Sequence, residues 1–157
     1  VTTGALFLFV GLIYERTHTR SIAAYGGLMK AAPVYTVFFA LFTLSSMALP
    51  GTNSFVGELL VLSGGFADNL AVGAAAILGA ALSAAYLLGM YGKVALGPAR
   101  VGARVKIRDV NARELVAILP LAVFVLWVGL YPKPFLAIID PSVRHLLAQV
   151  HGKEGGP

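Results

Sequence analysis

The chain has 157 residues, 58% of them hydrophobic and 12% charged, with a formal net charge of +5 and no cysteine. That charged share is about half of what a soluble domain carries, and three apolar runs are long enough to cross a bilayer. These figures exclude a soluble globular domain and a disulfide-linked one. They also disfavour nucleic-acid binding, because the basic residues cluster in two loops, as in membrane proteins that follow the positive-inside rule.

The first apolar run, residues 1–14, would span about 21 Å as a helix, which is too short to cross a bilayer alone. No basic residue precedes it and no Ala-x-Ala cleavage pattern follows, so a signal peptide is disfavoured. We predict that it is a truncated span, the second part of a helix that begins upstream. We predict a charged turn at the membrane surface after it, and Pro33 suits the first turn of the next helix.

The next apolar run, from about residue 34 to 66, would measure roughly 50 Å as one helix, against about 30 Å of hydrocarbon. Pro50 and Gly51 lie in its middle. Proline removes a backbone donor and glycine accepts unusual dihedral angles, so the pair predicts a break. We therefore predict a discontinuous helix over about 34–49 and 54–66.

Glu58 is the only acidic residue between Glu15 and Asp68. A carboxyl group in the membrane is costly to ionise unless a cation or hydrogen-bond donors support it, and non-helical backbone there requires protein or water around it. We predict that Glu58 is a proton carrier beside the break. Side chains able to orient water for a relay are Thr52, Asn53, Ser54 and Ser63, of which the first three are also candidate helix caps.

After a polar turn at Asp68, residues 70–96 form the next predicted span. Its small residues recur at four-residue intervals, as Gly79 and Ser83 do, which lets membrane helices pack closely. The face of a water channel is an alternative interpretation of the same spacing. The last predicted span covers about 115–131.

The C-terminal segment predicts one more helix, which is too short to cross the membrane. Asp140 suits the N-cap position and Pro141 the first helical position, so we predict a helix over about 141–151. Its apolar face consists of Val143, Leu146, Leu147 and Val150. Such an amphipathic helix is expected to bury that face on the membrane surface or against a partner.

Three segments carry a resemblance to a known family. They are Tyr-Glu-Arg-Thr-His-Thr-Arg (14–20), Tyr-Gly-Gly-Leu-Met-Lys (25–30) and Leu-Pro-Gly-Thr-Asn-Ser-Phe-Val-Gly-Glu (49–58). In that order they resemble the chain M (subunit 4) family of proton-translocating NADH–quinone oxidoreductase, respiratory complex I. The resemblance is strong from Thr3 to about Gly97. It implies a fourteen-helix antiporter-like subunit, with residues 1–14 in helix eleven, 34–66 in a discontinuous helix twelve, and the rest in helices thirteen and fourteen.

The resemblance also implies roles for residues and partners. Glu58 matches the family's buried glutamate in helix twelve, where sister subunits usually have lysine, while the family's proton-carrying lysines lie in earlier helices. The implied cofactors, a flavin, iron–sulfur clusters and NADH, belong to other subunits, and no cofactor-binding or metal residue is expected in this chain. Its expected partners are the other membrane-arm subunits, the lipid bilayer, protons and water, and no nucleic acid.

Nine of the twelve Lys and Arg residues lie in two segments, 15–33 and 93–114. The positive-inside rule places both in the cytoplasm and the C-terminus outside, in a bacterial cytoplasmic (inner) membrane. We predict an all-α, multi-pass helical bundle with 1–157 as a single membrane region.

The resemblance implies that the function is proton translocation coupled to electron transfer from NADH to quinone in other subunits. The chain shows no nucleophile–base set, phosphate loop or dinucleotide fingerprint of its own, so we expect it to perform no redox chemistry by itself. The alternatives are a cation/proton antiporter subunit or hydrogenase membrane subunit of the same family, and a membrane anchor in which Glu58 pairs with a lysine.

Overall fold

The computed structural model describes residues 1–98 and 107–154, and no strand occurs in these two ranges. The helices, in chain order, are α1 (Thr2–Thr17), α2 (Leu28–Ala31), α3 (Pro33–Ser46), α4 (Asn53–Asp68), α5 (Leu70–Tyr91), α6 (Ala112–Leu130) and α7 (Lys133–Glu154). A 3₁₀ turn, Ile22–Ala24, precedes α2, and a π-helical turn, Gly92–Leu96, extends α5.

Two helical segments of the described chain are long and apolar enough to cross a membrane, Leu70–Leu96 and Ala112–Leu130. A third apolar helix, Pro33–Ser46, is shorter. Only small parts of the two long segments are buried within the chain, so their apolar side chains face outward. Outward apolar surface on long helices is the pattern of a protein surrounded by lipid or neighbouring helices. The predicted all-α membrane bundle is confirmed.

Helices α1 and α3 form an antiparallel pair around Phe9, whose side chain is fully buried. Its ring centroid lies 5.0 Å from that of Tyr35, 6.0 Å from that of Phe39 and 5.6 Å from that of Phe42. The Tyr35 hydroxyl donates to the Phe9 carbonyl over 2.9 Å. Aromatic packing of this kind adds to simple burial, so the pair forms the best-packed part of the described chain.

The predicted discontinuous helix is confirmed. Its first half is α3, which ends at Ser46, and its second half is α4, which begins at Asn53. The six residues 47–52 between them are not helical. No residue of α4 is buried within the described chain, whereas α3 buries six side chains. The first half is therefore anchored in the core, and the second half lies on its outside.

The described parts of the two basic segments lie at one end of the bundle. Arg16, at the end of α1, donates to the carbonyl of Asp109 in the segment before α6 over 3.3 Å. The 3₁₀ turn and α2 also contact the π-helical turn that ends α5. The basic residues Arg100, Arg104 and Lys106 lie outside the described residues.

The predicted start of the C-terminal helix is wrong. Helix α7 begins at Lys133 and continues through Pro141. It can begin there because Pro134 occupies the first turn, where the missing N–H of proline costs nothing. The N–H groups of Phe135 and Leu136 donate to the Pro132 carbonyl, which starts the helix eight residues earlier than predicted.

The cap role predicted for Asp140 is also wrong. Asp140 is not a cap, since its carboxylate accepts from Arg144 over 2.7 Å, one turn further along the helix. Val143, Leu146 and Leu147 are exposed on this chain. Burial of the face on the membrane surface or against a partner therefore stays a prediction, and the side chain of Val150 lies outside the described part. Phe135 is the residue that packs α7 on α6, with ring centroids 5.6 Å from those of Phe124 and Trp127.

Candidate functional site: the helix break

The first half-helix ends in a closed motif. Ala48 adopts a left-handed conformation, with φ 53°. Its N–H donates to the Ser45 carbonyl, and the N–H of Leu49 donates to the Leu44 carbonyl over 3.1 Å. These two bonds are those of a Schellman motif, in which glycine usually occupies the left-handed position. The carbonyls of Leu44 and Ser45, in the last turn of α3, are therefore satisfied before the chain turns.

Pro50 and Gly51 then form a tight turn. The Thr52 N–H donates to the Leu49 carbonyl over 3.1 Å, and Gly51 has φ 91°. Proline at the second position and a positive-φ glycine at the third are the features of a type II turn. Thr52 is only 1% exposed, and its hydroxyl donates to the same Leu49 carbonyl over 2.7 Å. The predicted break at Pro50 and Gly51 is confirmed, and its backbone bonds are internal to the turn.

Asn53 connects three helices at the break. Its side-chain oxygen accepts from the hydroxyl of Thr2 in α1 over 2.9 Å and from that of Ser45 in α3 over 3.0 Å. The two hydroxyl oxygens lie 3.1 Å apart. Both hydroxyl hydrogens are thus directed at one amide oxygen at the start of α4. Because hydrogen bonds to buried hydroxyls are costly to lose, this group fixes both half-helices against α1.

The far end of α6 packs directly on the break. A methyl group at Gly129 would collide with the Gly51 carbonyl oxygen and with the carbonyl carbon of Thr52. The position therefore accepts no side chain without moving the turn. Leu130 lies beside Gly51 on the same side. Helix α6 therefore covers the non-helical backbone of the break, and irregular backbone in a membrane requires such cover by protein or water.

Glu58 lies in the second turn of α4 and is half-buried. Two ion pairs occur within the described ranges, Arg16–Glu114 and Asp140–Arg144, and Glu58 belongs to neither. Ser54 precedes Glu58 by one helical turn and so shares its face of α4.

The other three predicted relay residues are placed differently. Ser63 is exposed and donates to the Leu59 carbonyl of its own helix over 2.7 Å. Thr52 and Asn53 are engaged in the bonds described above. The structure therefore groups Ser54 with Glu58, keeps Thr52 and Asn53 in the break, and leaves Ser63 outside this group.

A second polar cluster, at the basic end, was not predicted. The Asp109 carboxylate accepts from the backbone N–H groups of Val34 and Tyr35, each over 3.0 Å, and from that of Val110 over 2.7 Å. Burial raises the pKa of this carboxyl, but the three N–H donors and the nearby Arg16 guanidinium outweigh it, so the pKa lies below its ordinary value.

Sequence reasoning missed Thr2, Ser45, Gly129 and Asp109. A signal existed for Gly129 only, because a glycine inside a helical pattern indicates close packing or a functional role. Thr2, Ser45 and Asp109 form most of their hydrogen bonds with residues at least 43 positions away along the chain. The exceptions are the bond between Ser45 and Asn53 and the bond between Asp109 and the next residue. No local pattern reports such distances.

Comparison with known proteins gives a consistent picture. The transmembrane family described as NADH:quinone oxidoreductase/Mrp antiporter matches residues 1–83. The NADH-quinone oxidoreductase subunit M of Rhodobacter capsulatus is 44% identical over 153 residues, which cover 98% of this chain and 30% of the relative. The NADH-ubiquinone oxidoreductase chain 4 of Marchantia polymorpha is 43% identical, with the same coverage. The chain thus spans about a third of the length of these relatives.

Solved structures agree with the sequence comparison. A chain of respiratory complex I from Thermus thermophilus with bound NADH superposes with a TM-score of 0.80 and 34% identity, over 87% of this chain and 28% of that one. A chain of the Mrp complex from Dietzia sp. superposes with a TM-score of 0.75 over 86% of this chain and 33% of that one. At 20% identity the second likeness shows a shared fold alone. The resemblance predicted from the three sequence segments is confirmed.

Proposed function

Because the chain belongs to the NADH:quinone oxidoreductase/Mrp antiporter transmembrane family, we propose that it is the C-terminal part of a proton-translocating membrane-arm subunit of an NADH–quinone oxidoreductase. The strongest support for the complex comes from relatives named subunit M or chain 4 that are 43–44% identical over 98% of this chain. Electron transfer from NADH to quinone, with its flavin and iron–sulfur clusters, then takes place in other subunits.

The observation that carries the proton-translocating role is the placement of Glu58. It follows a covered helix break by six residues and takes part in neither of the two described ion pairs. An acidic residue inside a membrane span is a functional-site hypothesis by default, since an unpaired charge there has a high free-energy cost.

The mechanism that we propose is a water-mediated relay ending at Glu58 on the outward side. Glu58 takes up a proton when the charge of its partner, a residue of another helix, changes, and releases it when that charge returns. Ser54, one turn before it, orients water on the same face of α4. The break supplies the non-helical backbone next to which water can enter, and α6 covers that backbone on the other side.

The decisive experiment is Glu58→Gln in the intact complex, reconstituted into vesicles and driven by NADH. Glutamine keeps the size and some hydrogen bonding of glutamate but cannot carry a proton. We expect normal assembly, continued NADH oxidation in the presence of an uncoupler, and a loss of protons pumped per electron. Glu15→Gln, an identical change at an exposed position in the basic segment, is the matched control. Unchanged pumping per electron with Glu58→Gln would remove Glu58 as the carrier.

A cation/proton antiporter subunit is the second candidate, favoured by the shared fold with the Mrp complex chain. The two functions differ in their driving force. Vesicles that contain the complex should acidify on addition of NADH and quinone if the first proposal holds. Proton movement that requires a cation gradient and ignores NADH would favour the antiporter.

A further inference from the structure

Helix α3 has no cap of its own. The residue before it is Ala32, which has no side-chain acceptor, and its first helical residue is Pro33. The next two N–H groups, those of Val34 and Tyr35, donate to the two carboxylate oxygens of Asp109. Asp109 is about 75 residues further along the chain. The cap of the first half-helix is therefore supplied from the segment that precedes α6.

This distant cap is held in place by Arg16. One guanidinium nitrogen, Nη2, donates to the Asp109 carbonyl over 3.3 Å and to the Glu114 carboxylate over 2.6 Å. The same Glu114 oxygen accepts from the Asn111 N–H over 2.9 Å, closing a capping box at the start of α6. The side chains of Arg16 and Glu114 are only 15% and 19% exposed. One small cluster thus joins the end of α1 to the starts of α3 and α6.

The opposite end of the same helix pair is joined as well. There the hydroxyls of Thr2, in α1, and Ser45, in α3, share the amide oxygen of Asn53. Helix α3 is therefore fixed to α1 at both ends and by the aromatic cluster around Phe9 between them. A rigid helix fixed at its start has its far end, where the break begins, fixed in space.

We propose that Asp109 is a positioning residue for the break: by capping α3 from a distance, it sets where α3 ends and hence where the relay that contains Glu58 is held. This inference rests on the proposed function. Asp109 itself carries no proton in it, because it acts through α3 from the other end of that helix.

The test compares Asp109→Ala and Asp109→Asn in the intact complex in vesicles, with Asp68→Ala as a matched control at an exposed position. Loss of one cap shifts the equilibrium between a positioned and a displaced α3 about fivefold, so we expect proton pumping per electron to fall by up to about fivefold with Asp109→Ala. Electron transfer in the presence of an uncoupler should stay unchanged. Asp109→Asn keeps one acceptor oxygen and should recover part of the loss. Asp68→Ala should pump normally.

Wild-type pumping per electron in an assembled Asp109→Ala complex would overturn the inference, as would an equal loss with Asp68→Ala. If Asp109→Ala does not assemble, Asp109→Asn decides the matter, and normal pumping with that variant also overturns the inference. Glu58→Gln is measured alongside. A loss with Glu58→Gln and none with the Asp109 variants leaves the proposed function intact and removes only the positioning role. Normal pumping with Glu58→Gln removes the proposed function instead.

Discussion

Ala48 occupies a backbone conformation that suits glycine better than alanine. Its φ of 53° lies in the left-handed region, where a Cβ atom costs about 1–2 kcal/mol. Ala48→Gly should therefore raise the free energy of unfolding, by about 1 kcal/mol after the entropic cost of glycine. The measurement is thermal unfolding of the purified subunit in detergent.

The matched control is Ala40→Gly inside α3, where φ is negative. There the same change should lower stability by about 1 kcal/mol. Equal effects of the two substitutions would mean that the Schellman motif at Ala48 does not form.

Asp109 predicts a specific dependence of stability on pH. Its folded pKa is lowered, so its contribution to stability is present above its unfolded pKa of about 3.9 and is lost as pH falls through the folded value. Asp109→Asn should therefore unfold at a lower temperature than the wild type at pH 7. The difference should begin to shrink below about pH 4 and disappear once the pH is below the lowered folded pKa, because protonated aspartate resembles asparagine.

Arg16 is the charged group that contacts Asp109, and Glu114 is the carboxylate paired with that same guanidinium. Asp68→Asn, at an exposed site, should match the wild type at both pH values. A difference for Asp109→Asn that persists or grows at acid pH would contradict the assignment of the cap.

At the level of helices, the contact of α6 with the break makes Gly129 intolerant of substitution. Gly129→Ala places a methyl group against the Gly51 carbonyl and the Thr52 backbone, so the turn or the helix must move. We expect a loss of about 1–3 kcal/mol of stability, typical of overpacking, together with reduced pumping by the intact complex.

Gly79→Ala in α5 is the matched control, since no described atom outside the backbone of its own helix lies within 4 Å of the added methyl group. That change should leave stability unchanged or raise it slightly, because alanine favours helix. If the two alanine variants behave alike in thermal unfolding and pumping, the close approach of α6 to the break is not real.

How much of these helices could be predicted depends on whether the cause is local. The break follows from Pro50 and Gly51 themselves, and the spans follow from runs of apolar residues, so both were predictable to within a few residues. The start of α7 was missed because Asp140–Pro141 has the pattern of a helix start, although Pro134 provides an equally good one earlier. The cap from Asp109 and the Thr2–Ser45–Asn53 group join distant segments, and propensity and periodicity contain no such information.

For the whole molecule, the two basic segments meet at one end, which makes orientation testable with two single cysteines. Ser21 is exposed in the first basic segment, and Ala67 is exposed beside the α4–α5 turn. The positive-inside rule predicts that the basic end is cytoplasmic. An impermeant thiol reagent on intact cells should therefore label Ala67→Cys and not Ser21→Cys, and both after permeabilisation. Labelling of Ser21→Cys alone on intact cells would reverse the orientation.

The two half-helices differ in how their ends at the break are capped, and this difference affects the electric field in the break. Helix ends carry about half an elementary charge each, negative at the last carbonyls and positive at the first N–H groups. The carbonyls that end α3 are closed by the Schellman bonds, whereas α4 starts without a side-chain cap. No basic residue occurs between Lys30 and Lys93 to mask this field. A water molecule in the break would turn its oxygen towards α4 and its hydrogens away, so water there would already be polarised in one direction.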